Sequence, residues 1–202
     1  SVRLVGSEMC IRDRSGGVES TGPLGHYVAA DFLFKSKDLI NWEFVHSFIE
    51  DNIFTRIGDD GACPYFWPIG NRHILLFYSH MSGGQYILGS YDTDKQKFSA
   101  EKHGLFNFGA SLPSGVHAPS AAPCEDGSVI VIFNMNAGKE CEGWDQIMTL
   151  PRKLSLAPNG DLQIAPAGDI RSLRGEHITV NRQLIKHNEE LRIPEIFSNC
   201  CE

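Results

Sequence analysis

No window of the 202-residue chain approaches 18 uninterrupted apolar residues, the length a membrane-crossing helix requires. Basic residues are in deficit: 18 Lys and Arg stand against 25 Asp and Glu, for a formal net charge of -7. That balance argues against a nucleic-acid partner held through phosphate neutralisation. Paired CxxC spacing is absent. The six cysteines, Cys10, Cys63, Cys124, Cys141, Cys200 and Cys201, have no His at zinc-ligand spacing. The adjacent Cys200 and Cys201 suit neither a shared metal site nor a routine disulfide. Most of the six are expected as small buried hydrophobes, and no metal or cofactor is implied. An initiator Met is also missing, and residues 1–14 (SVRLVGSEMCIRDR) lack the layout of a signal peptide. They resemble a translated adaptor sequence, are expected to be a non-native scar, and are set aside for fold reasoning. Compartment stays open.

What is present is ordinary globular composition, with 42% hydrophobic and 21% charged residues, and enough length for one large domain. From about Ala29, short apolar runs alternate with turns, and no convincing long helix is found. The runs are Phe32-Leu33-Phe34, Ile74-Leu75-Leu76-Phe77-Tyr78, Gln85-Tyr86-Ile87-Leu88-Gly89, Ser128-Val129-Ile130-Val131-Ile132-Phe133 and Gln146-Ile147-Met148-Thr149-Leu150. They are rich in β-branched and aromatic residues and bounded by Gly, Asn, Asp or Pro, the signature of strands. Their continuous apolar character predicts strands covered on both faces. Glu125-Asp126-Gly127 and Pro158-Asn159-Gly160-Asp161 are hairpin turns by composition. An all-β fold follows. Four-stranded sheets recurring roughly every 50 residues fit the blades of a β-propeller, and a β-sandwich is the competing solution. On the propeller reading the chain holds about three blades, too few to close a ring.

Four stretches, in order, resemble glycoside hydrolase family 32, the invertases, inulinases and levanases acting on β-fructofuranosides. Ser36-Lys37-Asp38-Leu39-Ile40-Asn41-Trp42-Glu43 is similar to the family's SxDLxxWE turn. Cys63-Pro64-Tyr65-Phe66-Trp67-Pro68, with Leu88-Gly89-Ser90-Tyr91-Asp92 and Phe98, resembles its ECPDFF…GxYD…F blade. Gly143-Trp144 and Thr149-Leu150-Pro151-Arg152-Lys153-Leu154, followed by Gly160-Asp161-Leu162, Pro166 and Leu173-Arg174, resemble the closing blade segment. Asn188-Glu189-Glu190 with Ile193-Pro194-Glu195-Ile196 resembles the strand that opens a C-terminal β-sandwich. The resemblance implies a partial five-bladed propeller over residues 15–174, then a linker and the first strand of a truncated sandwich over 175–202. It also implies a retaining hydrolysis of sucrose or fructans with a small-molecule or oligosaccharide substrate and no cofactor. A related furanosidase or glycoside phosphorylase propeller, or a non-catalytic carbohydrate-binding propeller, stands as the alternative.

Retaining chemistry needs two carboxyl groups about 5–5.5 Å apart. The family's nucleophile stretch, NDPNG, and its RDP stretch are both absent from this chain; Arg12-Asp13-Arg14 imitates RDP within the segment set aside. The chain alone is therefore expected to be inactive. The third site is GDDGACPYFWPIG (residues 58–70). Where the family places its acid/base Glu, before Cys-Pro, this chain has Ala62, which cannot transfer a proton. Two readings stand: Asp60 or Asp59 supplies the carboxyl from a differently shaped loop, or Asp59-Asp60-Gly61 is a solvated turn whose acids cap backbone amides. His117 falls where the resemblance puts the FYAPQ strand, and is read either as a sugar ligand or tuner of the acid, or as a satisfied core histidine. Asn107 stands at a DxG step. Trp67 and Cys63 complete the candidate substrate-binding set. His80, with Gln85 and Tyr86, and Trp144 are weaker candidates, since large aromatics in blades more often form core.

Overall fold

In the computed structural model the backbone is described for residues 3–4, 10–19, 27–50, 54, 59, 61–107 and 115–193, and side chains for 31–50, 54, 59, 61–107, 115–136 and 142–193. Among these residues the chain runs through β1 (Arg3–Leu4), β2 (Cys10–Glu19), β3 (Tyr27–Ser36), β4 (Glu43–Ser47), β5 (Ile49–Glu50), β6 (Ala62–Ile69) and β7 (Arg72–Ser79). It continues through β8 (Gly83–Asp92), β9 (Lys97–Leu105), β10 (Gly115–Pro123), β11 (Val129–Cys141), β12 (Trp144–Met148), β13 (Arg152–Leu156) and β14 (Leu162–Pro166), followed by a 3-10 turn, Ile170–Leu173.

The strands form three sheets, ordered β1-β2-β3-β4, then β5-β9-β8-β7-β6, then β10-β11-β13-β14 with β12 branching from β11. Within the second and third, consecutive hairpins make four-stranded antiparallel meanders, β6 to β9 and β10-β11-β13-β14. β5 adds to β9 in parallel. This is the partial β-propeller expected from the sequence, three successive blades of it. Cys10–Glu19, part of which was set aside above, pairs along its whole length with β3, with Asp13 opposite Leu33.

β7 shows why its sequence has no polar alternation. Ile74 and Leu76 join Ile69, Leu88, Val116, Val129, Val131, Phe133 and Leu154 in the core between the second and third sheets. Leu75 and Phe77, on the opposite face, join Leu33, Phe48, Ile87 and Phe98 between the first and second. Successive side chains point to opposite faces, so a strand between two covered faces must be apolar throughout. Each such fully buried side chain contributes about 1.5–3 kcal/mol. The run Gln146–Leu150 departs from that expectation. β12 pairs only with the far half of β11, and all five of its residues are exposed. It is a side branch of the blade, outside the layer that buries β11's first half.

Turns are held by side-chain acceptors. In the β3–β4 turn the Asp38 carboxylate accepts from the N–H of Asn41 (2.8 Å) and of Ile40 (2.9 Å), from Asn41 Nδ2 (2.7 Å) and from Ser36 Oγ (3.0 Å). These donors, the Asn41 backbone amide above all, hold the carboxyl far below the usual carboxylate range. A carboxyl depressed in the folded state contributes stability above its unfolded value near 3.9 and loses that contribution as pH falls through the folded value. Asp38→Asn is therefore expected to melt below wild type at neutral pH, with the gap closing as pH falls below about 4. Thermal melts between pH 7 and 3 check this; a gap that stays constant across the range rules it out.

The second and third sheets are clasped at their rims. Lys102 on β9 pairs with Asp161 in the β13–β14 turn at 2.6 Å, and Gly70 N–H donates to Gly127 O at 2.8 Å.

The chain divides into two units, Ser1–Ala167 and Gly168–Glu202, where the sequence reading placed its boundary after Arg174. In the second unit Asp169 caps the 3-10 turn by accepting from Arg171 N–H. Residues 188–190 lie in and after a turn closed by Glu189 N–H on Lys186 O at 3.1 Å. Pro194, Glu195 and Ile196 lie outside the described residues.

Candidate active site

β6 and β10 are the first strands of their meanders, and both begin with the same backbone step. In β6, Ala62 stands opposite Tyr78; the register then slips before Tyr65, with Cys63 at φ +53° and Pro64 next. In β10, His117 stands opposite Asn134; the register slips before Pro119, with Ala118 at φ +34°. A residue with a Cβ in the left-handed region costs about 1 kcal/mol or more, and strained positions of this kind gather at functional sites. A bulge also re-aims the side chain beside it. His117 thus holds, in its blade, the place that Ala62 holds in the blade before it.

The two places meet at Tyr78. Its ring stacks on the His117 imidazole with centroids 4.7 Å apart and planes 24° apart, and its edge meets the exposed His80 ring at 4.9 Å. The Nε2 atom of His117 is enclosed and has no hydrogen-bond partner among the described residues. Enclosed polar atoms are nearly always paired in native proteins, so this nitrogen marks a polar position with unused capacity.

Asp59 is 1% exposed. Its Oδ1 accepts from Ser79 Oγ at 2.7 Å and Ser82 Oγ at 2.5 Å, so the carboxylate anchors the β7–β8 turn. The turn expected here as solvated is buried at Asp59, which takes hydroxyl donors. From Ser82 the network continues inward. Gln85 Nε2 donates to Ser82 Oγ at 2.5 Å, and His103 Nε2 donates to Gln85 Oε1 at 2.6 Å. His103 in turn stacks on Phe54. Asp60, the other acidic candidate, lies outside the described residues.

The remaining candidates separate. Asn107 is half-buried and engages the backbone of Val116 with both amide atoms, Val116 N–H donating to Oδ1 at 2.7 Å and Nδ2 donating to Val116 O at 3.3 Å. Trp67 packs against the core between the second and third sheets, and its Nε1 donates to Ala121 O at 3.0 Å. Cys63 is exposed and Cys124 half-buried, so neither cysteine whose side chain is described is the buried small hydrophobe expected. Trp144 lies on the exposed β12 branch, 46% accessible. Sequence reasoning missed Tyr78 as the ring joining the two strand entries, and Gln85 and His103 as links to Asp59. One signal was available: Gln85 is a polar residue inside an apolar run, and it is fully buried.

The family model for the glycosyl hydrolases family 32 N-terminal domain matches residues 26–166. A sucrose-6-phosphate hydrolase of Zymomonas mobilis is 28% identical over 165 residues, covering 70% of this chain and 30% of its own. One from Staphylococcus xylosus is 24% identical over 160 residues with the same coverage. The chain thus spans 30% of the length of these curated relatives. Among solved structures, a glycoside hydrolase family 32 protein from Bifidobacterium adolescentis superposes with a TM-score of 0.55 at 16% identity, over 78% of this chain and 28% of the other. The sucrose-6-phosphate hydrolase of Lactobacillus gasseri superposes with a TM-score of 0.54 at 16% identity, over 83% and 38%.

Proposed function

The chain belongs to glycosyl hydrolase family 32, whose N-terminal domain spans residues 26–166 of it, and from that premise we propose that its full-length protein hydrolyses β-fructofuranosidic bonds. Sucrose or a sucrose phosphate is the favoured substrate, in keeping with relatives named sucrose-6-phosphate hydrolases; fructans are the alternative. The reaction is a retaining displacement. One carboxylate attacks the anomeric carbon while a protonated group donates to the leaving oxygen, and water then releases the fructosyl group with the donor acting as base.

In this reading the pocket lies at the entries of β6 and β10. Ala62 removes the proton donor from its usual place, and Asp59 is occupied by Ser79 and Ser82. The donor role therefore falls to Asp60. His117, stacked on Tyr78, offers an Nε2 that has no partner among the described residues toward the sugar hydroxyls or the donor. The observation that carries the proposal is the family match from β3 through β14. The test is to incubate the full-length protein with sucrose, sucrose 6-phosphate, inulin and levan and follow the released sugar and its anomeric configuration. Fructose released with retention is expected, and no turnover from the 202-residue chain alone, which has no NDPNG stretch. Robust turnover by that chain would show that the chemistry has been misplaced.

Ala62 favours a second reading, a propeller that binds carbohydrate without cleaving it. Fructan binding by the full-length protein with no hydrolysis of any of the four sugars would select it.

A further inference from the structure

Among the described residues β10 has a partner strand on one side only, β11, so the other edge of its first residues needs hydrogen-bond partners. Asn107 supplies them. Its amide accepts from Val116 N–H and donates to Val116 O, as a neighbouring strand would. The chain is shaped to admit that side chain. A Cβ on Gly115 would come within 2.7 Å of Asn107 Nδ2, and a Cβ on Gly83 would overlap the same atom. Both glycines also have positive φ, +102° and +81°, so a side chain at either is disfavoured twice over. Just before Asn107, Phe106 N–H donates to Gly84 O at 2.8 Å, which ties the segment to β8. The amide therefore joins the second sheet to β10 one residue before His117.

We propose that Asn107 is a positioning residue, not a sugar ligand: by holding both backbone groups of Val116 it sets the His117 imidazole on Tyr78 at the pocket. The inference rests on the hydrolase reading above for its consequence, but not for its geometry. The residue type follows from the same bonds. An ionised Asp at 107 would accept from Val116 N–H but turn a second acceptor toward Val116 O. A protonated Asp carries one donor and one acceptor and reproduces the amide's pattern.

The experiment compares Asn107→Asp and Asn107→Ala with wild type in the full-length protein. The His117 ring resonance is assigned by its loss in His117→Gln and followed by NMR, and kcat/KM is measured on sucrose. At pH 7 both variants should displace the His117 resonance from its wild-type position. For Asn107→Asp the displacement from wild type at the same pH should shrink as pH falls through the pKa of the new carboxyl, while for Asn107→Ala it should persist. Should Asn107→Asp fail to fold at pH 7, the alanine variant carries the neutral-pH comparison. In kcat/KM a loss of about tenfold is expected, and it should shrink to less than about twofold when His117 is already Gln, because residues that act through one another are not additive. An unmoved His117 resonance, or the same loss in both backgrounds, overturns the proposal. If wild type leaves sucrose intact, the hydrolase reading fails, and the His117 resonance still decides the clamp.

Discussion

Asp60→Asn in the full-length protein should lower kcat on sucrose by about 10²–10⁴-fold, the usual contribution of a general acid. The argument runs through its neighbours. Ala62 at the start of β6 has no proton to give. The Asp59 carboxylate is buried and accepts from Ser79 and Ser82, so it works as the anchor of a turn. Asp60 is the remaining acid of the pair, and Asp59 fixes the chain on one side of it. A donor must be protonated to act, so wild-type kcat should fall as pH rises through the pKa of Asp60 in the complex. The Asn variant should lose that basic limb along with its rate. Asp59→Asn serves as the contrast. It should lower the melting temperature by disturbing the Ser79–Ser82 turn, and it should keep the basic limb. If Asp60→Asn retains full activity on sucrose, Asp60 is not the donor.

Phe133→Ala should cost about 3–5 kcal/mol of folding stability, against a typical total of about 5–15 kcal/mol for a domain. Phe133 is fully buried in the core between the second and third sheets. Its ring lies 4.7 Å from that of Phe106, and the Arg152 guanidinium sits 5.5 Å from its centroid on the adjacent strand. Removing the ring opens a cavity in that core, beside Leu76, Val116 and Val131, and the rim contacts offset little of the loss. Those contacts include Lys102–Asp161, a pair with both partners more than a third exposed, and such pairs contribute little. Urea denaturation of wild type and variant checks the figure. A loss below about 1 kcal/mol would show that the sheets can close over the gap.

The blades were readable in the sequence because burial on both faces leaves a mark that needs no partner information: an unbroken apolar run such as Ile74-Leu75-Leu76-Phe77. The same rule misled at Gln146–Leu150, whose apolar residues lie on an exposed branch, because a run shows apolarity and not what covers it. Ala62 and His117 were legible by their place relative to Cys-Pro and Ala-Pro, the local steps that shape their strand entries. The network from Asp59 to His103 was not. Its members lie 20 and 23 positions apart at Asp59 to Ser79 and Ser82, and 18 apart at Gln85 to His103. Hydrogen bonds across a meander follow its registry, not sequence spacing. The position of Asn107 suggests a ligand, but its two bonds to the backbone of Val116 have no mark in the sequence, since only the fold brings the two together.

The shared entry step of β6 and β10 gives Ala62 and His117 equivalent addresses in successive blades. Each stands just before a positive-φ residue and a proline, so the bend belongs to the backbone and not to the side chain presented ahead of it. One blade presents a methyl group there and the next an imidazole, on the same strand geometry.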